Sequence, residues 1–174
     1  MVIAFRKLGS LREGPVTPAP SWAIVVTWLL AIVGLGISVY LTIVHFDTHL
    51  RLACSDTGAI NCTKVTTSGE SYFLGIPVAV LGLIQYVAMV GLCSPWAWRS
   101  ARREIHLARL AFAAVGMVFV LWLFSAEALI IKAFCLWCSG VHVVTFVMFV
   151  CVIRTVPAML GWTQPSDDGA AAAP

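Results

Sequence analysis

SWAIVVTWLLAIVGLGISVYLTIVHF, residues 21–46, runs without a single Asp, Glu, Lys or Arg. About 20 apolar residues suffice for a helix to cross the hydrocarbon core of a bilayer, so this stretch is long enough to span. It exceeds the roughly 7–15-residue apolar region of a cleaved signal peptide, and no small-residue cleavage site closes it. Three further apolar runs follow: LGIPVAVLGLIQYVAMVGLCS at 74–94, ending before Pro95, then about 105–130, and about 135–154, ending before Pro157. The expectation is an all-α membrane protein, a four-transmembrane-helix bundle with both termini on one side. Bulk composition agrees. The chain is 60% hydrophobic and 11% charged, whereas soluble domains are about 45–50% apolar and about 25% charged.

Basic residues give the orientation, because Lys and Arg collect on the cytoplasmic side. Arg6, Lys7, Arg12, Arg99, Arg102, Arg103 and Arg154 flank the spans on one side, and only Arg51, Lys64 and Lys132 on the other. This predicts cytoplasmic termini, a cytoplasmic 95–104 connection and an outer loop at 47–73. Trp96, Trp98 and Tyr72 are expected as interfacial aromatics, with His45 and His49 where the first span leaves the membrane. Net charge is only +3 and scattered, so no nucleic-acid partner is expected. REGPVTPAPS and TQPSDDGAAAAP have little to bury. The expected organisation is a disordered cytoplasmic tail at 1–20, a transmembrane domain at 21–155 and a second such tail at 156–174.

Six cysteines then sort by side. Cys54 and Cys62 lie in the outer loop, and Cys135 and Cys138 open the fourth span at the same face. Cys93 and Cys151 fall at the cytoplasmic ends of spans two and four, where buried cysteine behaves as a small hydrophobe. Positions 135 and 138 share a helix face, and the free N–H groups of a first helical turn favour a thiolate. Such a pair suits a dithiol that opens and closes, although a static disulfide or packing thiols would leave the same spacing. Two pairs on one side can relay electrons by thiol–disulfide exchange. A zinc site is disfavoured, because seven residues separate Cys54 from Cys62, more than the two to four of a usual half-site. No metal is expected.

Four spans, a loop cysteine pair after the first and Cys-x-x-Cys at the start of the last resemble the vitamin K epoxide reductase family. GISVYLTIVHF followed by CSDTGAINCTKV is similar to the end of its first helix and its loop pair, and FLGIPVAVLG looks like its prokaryotic branch. The resemblance covers about residues 22–154. It implies a helical bundle around a quinone pocket, capped by the outer loop, in a multi-pass protein of the cell membrane. It further implies that Cys54 exchanges with a thioredoxin-fold partner, that Cys62 passes electrons to Cys135, and that Cys138 faces the quinone. The acceptor would be menaquinone or ubiquinone. With no fused thioredoxin-like domain before Pro174, a separate extracytoplasmic thiol oxidase is the implied partner. The implied activity is that of a quinone-dependent thiol oxidase for disulfide formation in exported proteins.

The sequence departs from the family in places. Cys-Leu-Trp-Cys stands where the family often has Cys-Pro-Tyr-Cys, which bears on redox poise. His142 occupies the place of a quinone-contacting tyrosine of animal members, and Ser71 falls, by a looser alignment, near their quinone-contacting asparagine. These differences favour plain quinone reduction over epoxide chemistry. His142 lies four residues beyond Cys138 on the same face, and could donate to a quinone carbonyl or bond to a neighbouring helix. Glu127 is either a proton-relay carboxylate or an interfacial residue balancing Lys132; the second is expected. A strict epoxide reductase and a non-catalytic membrane adaptor with structural disulfides are the alternatives. The other four-helix quinone-reducing disulfide family carries its Cys-x-x-Cys in the first outer loop, so pair order separates it.

Overall fold

A computed structural model describes residues 16–47, 49–50, 52–54 and 56–162, without the side chains of residues 56 and 57. In chain order, helix α1 spans Ser21–Phe46 and leads into the loop strands β1 (Asp56–Thr57) and β2 (Ile60–Asn61). The short helix α2 (Cys62–Thr66) and a 3₁₀ turn (Gly69–Ser71) precede a second hairpin, β3 (Tyr72–Phe73) and β4 (Ile76–Pro77). Then come α3 (Val78–Leu92), α4 (Pro95–Trp98), α5 (Arg103–Ser125) with a π-helical turn at Ala126–Ile131, and α6 (Leu136–Met159). The fold is mostly helical. Among the described residues, three helices are long and apolar enough to cross a membrane: α1, α5 with its π extension, and α6. The fourth, α3, is apolar but has 15 residues.

The four helices close a ring in which α1 packs on α3 and α6, and α5 packs on α6 and α3. Small side chains make the close approaches possible. Ala23, Thr27, Ala31, Gly34 and Ser38 form the buried stripe of α1. The Tyr86 ring sits where a Cβ on Gly34 would be, so only glycine fits there. Tyr86 then reaches across to Thr145 Oγ1 at 2.7 Å, joining α3 to α6. Outward faces keep Val25, Leu29, Ile84, Val118 and Val143 exposed, as lipid-facing positions require.

The Thr17 N–H donates to the Met159 carbonyl at 3.1 Å. Both ends of the described chain therefore meet at one end of the bundle, opposite the 47–73 loop. At that end Trp98 is buried, contrary to the interfacial expectation, whereas Trp96 is exposed. Its Nε1–H donates to Thr27 Oγ1 at 3.1 Å, and the Arg109 guanidinium lies over its ring at 3.5 Å. Arg109 also donates from Nε and Nη2 to the Leu92 carbonyl at 2.9 and 2.6 Å, satisfying an acceptor that the end of α3 would leave orphaned.

Three boundaries differ from expectation. The second apolar run starts as a hairpin and not as a helix, because Leu74 and Gly75 take φ of 53° and 81°, the two positive angles of a tight type I′ turn. Helix α3 begins only after Pro77. At the other end α6 continues through Pro157 to Met159; a missing donor is tolerated where neighbouring helices cover the freed carbonyl. Residues 156–159 thus belong to the bundle, with Val156 and Met159 buried. The rest of the expected tails lies mostly at 1–15 and 163–174, outside the described residues, as do Arg6, Lys7, Arg12 and Arg51.

Candidate redox site

Local geometry brings the two cysteine pairs together. Gly58, at φ 74°, closes the β1–β2 turn in a conformation that costs glycine nothing. The Asn61 side chain accepts from the Lys64 N–H at 2.8 Å, capping α2 so that Cys62 becomes its first residue. Strand β2 then docks alongside the segment ahead of α6. The Asn61 N–H donates to the Phe134 carbonyl at 3.0 Å, and the Phe134 N–H to the Ala59 carbonyl at 2.9 Å. Cys62 follows Asn61 and Cys135 follows Phe134, so this bridge brings the two residues into one neighbourhood. Both are fully buried in one cluster with Val65, Ile131 and Ala133, against which Cys54 and Cys138 pack. Cys54 and Cys62 form a disulfide, while Cys135 and Cys138 are free thiols.

A second clamp holds the loop nearer Cys54. The Trp137 Nε1–H donates to the Ala53 carbonyl at 3.2 Å, and the Ala53 N–H donates to Tyr40 Oη at 3.0 Å. The two rings pack at 4.8 Å between centroids. The tryptophan inside Cys-Leu-Trp-Cys is thus a docking residue for the loop, which its place between the cysteines did not announce.

Cys135 precedes α6 as its cap, and its Sγ accepts from the Cys138 N–H at 3.4 Å. Donation from the Cys138 thiol, with help from the backbone N–H groups of Cys138 and Trp137, lowers the Cys135 thiol below its usual range against the opposing effect of burial. That direction favours the thiolate, the form that attacks disulfides.

Beneath the loop lies a cavity of about 730 Å³, within the range for a small-molecule site. Cys138 lines it and Cys135 does not. Its walls are mostly apolar, with Phe73, Phe112 and Phe119 among them, and loop residues from Val65 to Phe73 form part of the lining. The polar side chains on the wall include the three expected ones: His142, Ser71 and Glu127. His142 is buried with no hydrogen-bond partner at Nδ1, so it does not make the helix–helix bond that was the alternative for it. Ser71 Oγ donates to the Ser68 carbonyl at 2.6 Å.

Glu127 departs from the expectation of an interfacial residue balancing Lys132. It is 3% exposed, and its Oε2 has no partner, while Lys132 is exposed. The π turn explains the difference, since its wider winding buries the adjacent Ala126 and Glu127 together with Ile131. Such turns are frequent at functional sites. His45 also departs from expectation by lining the cavity, edge-on to Tyr72; His49 stays exposed. Gln85 and Tyr86 line the cavity as well. Gln85 lay within a run read only as apolar, and a lone Gln in a span was the signal that could have marked it.

An apolar cavity with two unpaired polar groups and one thiol on its wall fits a large, flat, weakly polar ligand with hydrogen-bonding oxygens. A disulfide and a dithiol packed in one cluster, with Cys138 on the cavity wall, are the parts of a helical membrane oxidoreductase. The model of the vitamin K epoxide reductase family matches residues 25–153, and the chain belongs to that family. Its members are quinone oxidoreductases, so this chain is an oxidoreductase of quinone-linked disulfide chemistry. A search of curated proteins found no match to the chain.

Proposed function

We propose that the chain is a membrane thiol oxidase that reoxidises a separate thioredoxin-fold partner and passes the electrons to menaquinone or ubiquinone. In this reading α1, α3, α5 and α6 all span, the domain extends from residue 21 to the end of α6 at Met159 with short tails on either side, and the termini are cytoplasmic. The 47–73 loop then lies outside, with both cysteine pairs, where a partner for exported proteins would meet it. The observation that carries the reading is the burial of Cys62 and Cys135 in one cluster, with Cys138 of the second pair on the cavity wall.

Each exchange moves one electron pair. A partner thiolate attacks Cys54, and Cys62 leaves as a thiolate; the partner's second thiol then resolves the mixed bond and frees Cys54. Cys62 attacks Cys135 of an oxidised Cys135–Cys138 pair, and Cys138 leaves. Cys54 attacks Cys62, which restores the loop disulfide and frees Cys135. A joined loop pair with free Cys135 and Cys138 is the arrangement at the end of this sequence. A bound quinone would supply a two-electron acceptor for the second pair, with His142 placed in the cavity to hold it and Ser71 on the same wall. The presence of His142 and Ser71 supports quinone reduction in preference to epoxide reduction.

The test is quinone consumption by purified protein supplied with a reduced thioredoxin-fold donor. Turnover should require each of Cys54, Cys62, Cys135 and Cys138. Absence of quinone consumption by well-folded protein would favour the adaptor alternative and overturn the reading.

A further inference from the structure

Closing Cys135–Cys138 to a disulfide releases two electrons and two protons, and both protons must leave a region sealed from water. Cys135 is fully buried beneath the loop. Glu127 touches both sides of this problem. It lines the cavity with Cys138 and His142, and its carboxyl lies close enough to Cys135 and Cys138 to interact electrostatically with each. The Ala133 N–H donates to the Glu127 carbonyl at 3.2 Å, which ties the Glu127 turn to the segment leading into Cys135. Oε2 has no partner, an expensive arrangement for an ionised group and an inexpensive one for a carboxylic acid.

Other titratable groups face the same space. His142 comes from α6, His45 from α1 and Glu70 from the loop, and all line the cavity. Lys132, on the same segment as Glu127, is exposed and supplies no countercharge. A Cys135 thiolate and a Glu127 carboxylate would be two neighbouring negative charges in a low-dielectric site, where like charges do not both ionise.

We propose that Glu127 is the proton carrier of the Cys135–Cys138 pair, holding as a carboxylic acid the proton that Cys135 gives up on becoming a thiolate. This rests on the thiol-oxidase reading and adds the proton balance to it. In the reduced state one proton resides on Cys138 and one on Glu127. The Cys135 thiolate attacks the Cys138 sulfur as the S–S bond forms and an electron pair departs to the acceptor in the cavity. The Cys138 proton and the Glu127 proton leave with that pair, so Glu127 ends as a carboxylate beside a neutral disulfide. When the loop dithiol reduces the pair again, its two protons reload Cys138 and Glu127. Two electrons and two protons enter, and two of each leave.

The experiment is a redox-difference infrared spectrum of the full chain in detergent, with no quinone and no partner, comparing its Cys135–Cys138 dithiol and disulfide forms. A protonated-carboxyl C=O band should be present in the reduced form and lost on oxidation. It should vanish in Glu127→Gln, persist at a shifted frequency in Glu127→Asp, and be unchanged in Glu70→Gln. Alkylation of Cys135 against pH supplies the second measurement: two ionisation steps in the native chain, one in Glu127→Gln. A carboxyl band that ignores the redox state, or that survives in Glu127→Gln, overturns the proposal. Folding of Glu127→Gln is checked by its intact Cys54–Cys62 bond. Because neither measurement uses quinone or donor, they stand or fall separately from the turnover assay.

Discussion

Trp137→Phe isolates the docking of the loop from the chemistry of the cysteines. The ring remains to pack on Tyr40, and the Nε1–H bond to the Ala53 carbonyl, 3.2 Å long, is lost. A hydrogen bond of this kind contributes about 1 kcal/mol net, which is about a five-fold change in an equilibrium. If the loop opens as one unit, the backbone N–H groups of Asn61 and Phe134, bonded across the same junction, share that opening. Their hydrogen exchange should accelerate about five-fold in the variant, since exchange tracks the opening equilibrium. Peptide-level exchange read by mass spectrometry, with the Cys54–Cys62 bond intact in both proteins, makes the comparison. Unchanged exchange at 59–62 and 134 would refute the reasoning, because the Trp137 clamp and the β2 bridge would then be independent.

In Cys138→Ser, Cys135 keeps its neighbour Cys62 but has no resolving thiol, so a Cys62–Cys135 bond should accumulate and be found by peptide mapping; a Cys62–Cys138 bond in Cys135→Ser, with none in Cys138→Ser, would reverse the roles. Replacing Cys93 and Cys151 together by Ala should leave quinone reduction within about two-fold, since neither lines the cavity and buried cysteine packs as a small hydrophobe. Reporter fusions should place residues 47–73 outside and 95–104 inside, and a cytoplasmic signal from 47–73 would sink the topology.

Apolar run length made α1 legible, because composition alone decides whether about 20 residues can span. Cysteine positions relative to the spans put Cys54, Cys62, Cys135 and Cys138 on one face, and the fold gathers them in and around one buried cluster; their roles came from the family resemblance alone. What stayed hidden depended on backbone angles that residue type only loosely determines. FLGIP carries breaker signals at Gly75 and Pro77, but not the turn type, which the positive φ at Leu74 and Gly75 sets. Pro157 reads as a stop, and the surrounding bundle overrides it. The π turn at Ala126–Ile131 has no sequence signature, so the burial of Glu127 could not be derived from a 3.6-residue period. Trp98 was misjudged as interfacial, because its stacking under Arg109 joins residues that sequence distance keeps apart.

The accessibility of the four sulfurs falls in steps. Cys54 is half-buried, Cys62 and Cys135 are fully buried, and Cys138 opens onto the cavity on the far side. An electrical conductor needs insulation as much as it needs contacts, and the β2 bridge with the Trp137 clamp supplies it. In the proposed reading a thiol in the surrounding water would meet the loop pair at Cys54, the more exposed of its two sulfurs. Steric selection at Cys54 would then govern which proteins can empty electrons into the membrane.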